Sequence, residues 1–346
     1  MLHIVQCLFT FKSLFSVRPW AFTVGMLFCL VSLGQPAAST KIKNKPKINA
    51  AEKTIPTQTL IENQEESVEE LFIRHNKEIS EWFDSQAEGL DLFLAGQKLT
   101  TKKNETTFRI ENTSYVKERE SFNNATGFRV LLRLPNLEKY WQLQLTSYDE
   151  VQDKRGAKNN YLKQAPREKN YGATIGWFQN LGKVRTAFQP RIELQDPLKV
   201  SHSFTFESVI DLEFVHINPK LELFAHPDKG VGVFNAYNFD FPIDKYFSLT
   251  WINEGEYQEK SHVLSVSHGL SLGHHISAKR SLSYNIFYDF NNRPDYHMAG
   301  YNLSVSWSEN IYRKILDYRV TPYLEFTELK GFAGVPGLNF HIYITY

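Results

Sequence analysis

Residues Tyr301–Ser308 read YNLSVSWS: Tyr301, Leu303, Val305 and Trp307 are apolar, while Asn302, Ser304, Ser306 and Ser308 are polar. Leu282, Tyr284, Ile286, Tyr288 and Phe290 repeat the alternation against Ser283, Asn285 and Asp289. A third example runs Leu338, Phe340, Ile342, Ile344, Tyr346, with Asn339, His341, Tyr343 and Thr345 between them. A period of two residues places alternate side chains on opposite faces of a β-strand, so each segment has one apolar and one wet face.

Working outward, the pattern recurs back to residue 104, with strands expected near 104–118, 124–134, 139–149, 170–179, 183–194, 201–212 and 214–226. The rest fall near 230–241, 245–256, 260–274, 279–290, 297–308, 315–327 and 337–346. Pro135-Asn136, Asn180-Leu181-Gly182 and Asp228-Lys229-Gly230 mark tight turns between them. A strand with an apolar face needs either a partner face or lipid. In lipid every backbone N–H and C=O must be paired internally, and among sheets only a closed one achieves this. The expectation is an all-β fold: a closed antiparallel transmembrane β-barrel of about 14 strands (12–16), with an N-terminal periplasmic amphipathic helix. Phe340, Ile342, Ile344 and Tyr346 form the expected barrel-closing terminal strand, flush with the last residue. A two-layer β-sandwich is the competing fold; there the charged faces would look at bulk water.

Composition agrees. The 346 residues carry 39 Lys+Arg against 38 Asp+Glu, so no global basic field recruits nucleic acid. Aromatic residues make up 14%, and these favour strands and membrane–water boundaries. The two cysteines, Cys7 and Cys29, both lie in a leader-like segment. There, Lys12 and Arg18 precede an apolar run, Ala21–Leu33, followed by the small residues Ala37, Ala38 and Ser39. This pattern predicts a cleaved signal peptide over 1–39, and export in a Gram-negative cell to the outer membrane. Residues 40–65 are polar with Pro46 and Pro56 and are expected to be a linker. Within 66–100, Leu71, Phe72, His75, Ile79, Trp82 and Phe83 recur at helical spacing. That helix is expected to pack on the periplasmic rim or plug the mouth, with a periplasmic docking partner as the functional alternative. The barrel is expected over 104–346.

The wet faces of the strands carry Arg129, Arg133, Arg185, Arg191, Glu193, Glu207, Asp211, Lys220, Glu222, Arg319 and Glu325, which are the candidate lumen-lining residues. Basic residues facing mid-membrane hydrocarbon would cost about 2–4 kcal/mol each, so these residues are expected to face the interior. Gly172, Gly176, Gly232, Gly269 and Gly273 share the wet phase and leave room for bulky neighbours or a plug such as the 66–83 helix. The basic insertion Val151–Asn170 is expected to be a loop. His262, His268 and His274 sit six residues apart, about 20 Å along a strand, too far apart for one metal ion. His341 and His297 are the histidines that could partner a wet-face serine in a hydrolase, but no outer-membrane hydrolase motif accompanies them. No catalytic, metal or cofactor residues are assigned.

Phe128–Glu138, FRVLLRLPNLE, and Leu282–Thr327 resemble stretches of uncharacterised proteobacterial outer-membrane barrel proteins, a likeness spanning about residues 85 to 346. The resemblance implies location and architecture and brings no assigned activity. The functional expectation is therefore a non-enzymatic, porin-like passage of small solutes or a structural and assembly role. The alternative is a membrane-embedded lipid or peptide hydrolase. Expected partners are outer-membrane lipid, the barrel-assembly machinery through the terminal strand, and a periplasmic protein at the 66–83 helix.

Overall fold

The computed structural model describes residues 67–95, 106–136, 141–162, 169–312 and 315–346. The expected signal peptide and linker lie outside these residues. The first element is a helix, α1, Val68–Ala95. Fourteen strands follow among the described residues: β1 Thr107–Lys117, β2 Asn123–Arg133, β3 Trp141–Thr146, β4 Gly172–Leu181, β5 Val184–Glu193, β6 Lys199–Ser208 and β7 His216–His226. The second half comprises β8 Gly230–Pro242, β9 Phe247–Gln258, β10 Val263–Ser277, β11 Arg280–Asn291, β12 His297–Tyr312, β13 Leu316–Thr327 and β14 Gly334–Thr345. A two-residue piece, Ile210–Asp211, continues β6 past a break at Val209. Two short helices, α2 Glu150–Asp153 and α3 Ala157–Tyr161, lie between β3 and β4.

Every strand pairs antiparallel with its neighbours in sequence, and β1 pairs with β14 from Arg109↔Thr345 to Lys117↔Gly337. The sheet therefore has no free edge. Tyr346 completes the seam: Phe108 N donates to its carbonyl, its own N–H donates to Phe108 O, and the two rings stack 5.5 Å apart.

The register explains the alternation. One row runs Phe239↔Trp251↔Leu270↔Ile286↔Leu303↔Leu324 across six strands and is apolar throughout. Trp251, Leu270 and Leu303 in it are 41–47% exposed, so this row forms the outer surface. The adjacent row, Ile252↔Gly269↔Phe287↔Asn302↔Glu325, points inward, and Ile252, Phe287 and Asn302 are buried. Exposed apolar residues recur around the wall, among them Ile175, Phe188, Ile192, Leu223 and Tyr284, on the same outward phase as the Trp251 row. Two buried aromatic rings of the interior need glycines opposite them. A Cβ on Gly232 would lie 2.1 Å from Phe224 Cζ, and one on Gly269 would lie 2.3 Å from Phe287 Cδ1.

Of the two placements expected for the helix, packing on the rim and plugging the mouth, the structure has the first. Ala87 of α1 packs with Val130, Leu132 and Leu134, and Phe83 lies 4.7 Å from Phe108. Val130 and Leu132 pair with Leu145 and Leu143 on the outward face, so α1 sits outside the wall. The strand expected near 139–149 is shorter: β3 ends at Thr146 because the chain leaves the wall there and turns inward.

Candidate functional site

The insertion after β3 contributes the contents of the barrel. Asp149 caps α2 by accepting from Gln152 N, and Lys154 donates from the α2 terminus to Gln152 and Glu150 carbonyls. From there the segment crosses the interior and meets five distant strands. Arg155 pairs with Glu222 of β7 at 2.9 Å and Glu256 of β9 at 3.1 Å, and its guanidinium lies over the Phe224 ring. Glu254 of β9 accepts from the N–H groups of Ala157, at 2.5 Å, and Lys158, at 3.5 Å, capping α3. Lys158 donates to both oxygens of Asp289 on β11 at 2.6 Å. Leu162 is buried with Ile252, Phe287 and Tyr323, and Tyr161 packs on that cluster. The carbonyls of Asn160 and Tyr161 accept from Arg319 and Ser306. Strands β7, β9, β11, β12 and β13 lie on different sides of the closed sheet. A segment touching all of them must pass through the lumen.

Electrostatics explain why these partners find one another. Glu222, Glu254, Glu256 and Asp289 all face inward, and Lys220 lies in one inward row with two of them, Lys220↔Ala236↔Glu254↔Ser267↔Asp289. Buried carboxylates without partners would be strongly unfavourable. The insertion brings Arg155 and Lys158, and Lys220 donates to Arg155 O. At the root of the insertion, Arg129 meets Glu150 at 2.8 Å, and Glu150 also pairs with Lys154. Arg191, 1% exposed, donates to Thr146, Thr174 and Asn170 and holds both ends of the insertion.

Between this segment and the rim bearing Tyr346 and the start of β1 lies a cavity of about 600 Å³. Its wall carries Arg109, Arg129, Lys279, Arg280 and Arg319 with Glu111, Glu309 and Asp317, and the segment supplies Glu150, Asp153, Lys154 and Asn160. A second space of about 330 Å³ adjoins it, lined mainly by Ser248, Thr250, Ser271, Ser283, Ser306 and Ser308. The larger chamber is charged with both signs and the smaller is hydroxyl-rich. Such a lining solvates polar solutes and offers little to apolar ones.

The candidate residues named from sequence fall in several places. Arg129 and Arg319 line the larger cavity. Arg191, Glu193, Lys220 and Glu222 are used in anchoring the insertion or its surroundings: Glu193 is buried and accepts from Gln195, and Lys220 lies 3.6 Å from Glu222. Arg185 and Glu207 pair at 2.8 Å and are largely exposed, as is Asp211, which meets His216 at 2.7 Å. Glu325 pairs with Lys117 at 2.7 Å. The Arg133 side chain lies outside the described residues. Arg155, Lys158, Glu254, Glu256 and Asp289 were not singled out from sequence. The available signal was the surplus of inward carboxylates on β7–β11 beside a basic insertion.

The histidines hold structural positions. His268 is on the outer face, bonded to Asn253 at 3.0 Å, His274 stacks on Phe247, and His262 bonds the Tyr257 hydroxyl. His341 is buried, with the Thr113 hydroxyl 3.0 Å from its Nδ1, and lines neither large cavity. His297 pairs with Glu328 at 2.7 Å. Asp149, Glu193 and His226 bring ligand-type atoms within 4.8 Å of one another. However, His226 Nδ1 accepts from Asp228 N, which puts the ring proton on Nε2, facing Glu193 at 3.2 Å. That tautomer donates a hydrogen bond where a metal would need a lone pair. In the same turn Lys199 donates to Asp228 and holds its carboxyl below the usual range.

No family model matches the chain, and no curated protein matches it. Solved barrels do. Outer-membrane expressed OmpT of Vibrio cholerae overlaps 72% of this chain and 99% of its own at 6% identity, with a TM-score of 0.44. The outer membrane channel DcaP of Acinetobacter baumannii gives 70% and 97% at 6% identity, TM-score 0.44. The KdgM porin gives 69% and 99% at 6% identity, TM-score 0.36. At this distance the likeness is one of barrel architecture and says nothing of solute or activity.

Proposed function

We propose that the chain is a bacterial outer-membrane barrel that passes small polar solutes, with the inward-folded segment 147–162 as its constriction. The observation that carries this reading is the anchoring of that segment across the lumen through Arg155 and Lys158, beside a chamber lined by charges of both signs. The outward apolar rows support placement in a bilayer, where a closed sheet satisfies its own backbone. Opposed charges around a narrow passage create a transverse field that orders dipolar solutes and water. A hydrolase gains no support from His341, whose hydroxyl neighbour is Thr113 in a buried pair. In the same proposal, the terminal strand Gly334–Thr345 is the element an assembly machinery would read, because its pairing with β1 completes the barrel.

The test is single-channel recording of the purified, folded protein in planar bilayers. Discrete conductance steps are expected. A silent bilayer from protein shown to be inserted and folded would reject the passage reading and leave a structural role.

A further inference from the structure

Helix α1 has three sides. At 3.6 residues per turn, Phe72, Asn76, Phe83, Asp84, Ala87 and Asp91 fall on one of them, the side that docks on the barrel. Phe72 meets Tyr312 at 6.5 Å, Asn76 donates to Thr345 O, and Asp84 accepts from Thr106 N. Asp91 accepts from both nitrogens of Asn136. These contacts pass in order from the end of β12 to the end of β14, the start of β1 and the end of β2. The helix therefore runs tangentially around the rim that carries Tyr346 and the start of β1, over the β14–β1 seam, with its axis parallel to the plane of a surrounding bilayer.

The remaining two sides are opposites. Glu70, Arg74, Lys77, Glu78, Glu81 and Glu88 form one; there Arg74–Glu78 and Lys77–Glu81 pair at 3.4 and 3.6 Å, all well exposed. The other carries Leu71, Trp82 and Phe93, spaced by eleven residues, or three turns, so that they line up as a stripe. They are 40%, 58% and 82% exposed. The docked side fixes which flank faces which way. Asp84 and Asp91, nearer the charged flank, bond Thr106 and Asn136, which lie beyond the strand ends. Phe83 and Leu90, nearer the apolar flank, pack with Val130 and Leu132 on the strand itself. The apolar stripe thus looks toward the middle of the barrel wall and the charged side looks away from it.

We infer that α1 is an in-plane membrane helix whose Leu71, Trp82 and Phe93 enter the acyl–headgroup boundary of the leaflet surrounding that rim. The stripe flanks the patch where α1 covers Val130 and Leu132 of the barrel's outward face, and that face goes on to the exposed Leu145 beside Val130. Tryptophan at a membrane boundary and charge on the opposite helix side are the chemistry of interfacial helices. The inference rests on the bilayer placement of the barrel.

Full-length protein with Cys7 and Cys29 changed to serine, carrying single cysteines at Trp82→Cys, Phe93→Cys, Glu81→Cys or Leu270→Cys, is nitroxide-labelled. It is reconstituted in phosphatidylethanolamine–phosphatidylglycerol vesicles, and spin relaxation is read with oxygen and with a nickel chelate. Labels at 82, 93 and 270 are expected to favour oxygen, with the preference reversed at 81. If 82 and 93 behave like 81 while 270 still favours oxygen, the helix inference fails and the barrel placement survives. Shielding of 82 and 93 from both agents would mean that protein covers the stripe, which also overturns it. Nickel access at 270 would overturn the bilayer placement, and this inference with it.

Discussion

Arg155→Ala tests whether the inward segment is held by charge. Arg155 is 7% exposed and Glu222 is 1% exposed, so the substitution strands a carboxylate that water does not reach. Removing one member of a buried pair costs about 3–5 kcal/mol. Lys220, 3.6 Å from Glu222, offsets part of that, which favours the lower end, about 3 kcal/mol. At 1.36 kcal/mol per decade this shifts the balance between the inserted and displaced segment by about two decades. Lys158–Asp289 and the Glu254 cap remain, so the displacement is partial rather than complete. The assays are single-channel conductance and protease cleavage after Lys154 and Lys158 in folded, membrane-inserted protein. Conductance is expected to rise and cleavage to accelerate. Adding Glu222→Gln removes the stranded charge and is expected to recover much of the native behaviour. A folded Arg155→Ala protein with unchanged conductance and unchanged protease resistance would refute the reasoning, as would a double variant no closer to native than the single.

Further outcomes follow from the packing. Gly269→Val puts a branched side chain where a single Cβ already meets Phe287 at 2.3 Å, so it is expected to destabilise the barrel by about 1–3 kcal/mol, read as a lower unfolding temperature in heat-modifiability gels. Ala87→Arg forces a long cation against Val130, Leu132 and Leu134; α1 is expected to detach and become protease-sensitive while the barrel keeps its gel mobility. Tyr346→Ala loses the stack on Phe108 but keeps both backbone bonds. It is expected to cost about 1 kcal/mol and to leave the barrel closed, measured by urea-induced unfolding in detergent micelles.

The wall was legible in the sequence and its contents were not, for a physical reason. A strand declares its two faces locally, so Tyr301–Ser308 announces inward serines and outward apolar residues without reference to any neighbour. The insertion around Arg155 declares nothing locally: a short basic stretch with Asn159 and Asn160 reads as solvated loop. Its partners Glu222, Glu256 and Asp289 lie about 70 to 130 residues further along the chain, and only the closed topology brings them to one level. The fourteen-strand closed barrel stands as expected. β3 is shorter than its alternation predicts, because Ser147, Tyr148 and Asp149 belong to the inward turn. The helix is legible as amphipathic from the spacing of Leu71, Phe72, Trp82 and Phe83, and its docking separates these into a covered side with Phe72 and Phe83 and an exposed stripe of Leu71, Trp82 and Phe93, which recur every eleven residues.

The seam joins Arg109 to Thr345, strands that are almost the whole domain apart in the chain. The C-terminal half of α1 rests on β1, β2 and the β2 terminus through Phe83, Ala87 and Asp91, neighbours in the chain that need no closure to form. Its N-terminal half reaches Tyr312 and Thr345 through Phe72 and Asn76, so that half finds its berth only when the first and final strands have met. The helix thus bridges the seam like a clasp: peeling the two edge strands apart must first break its N-terminal contacts, and protection of that first half reports the last step of closure.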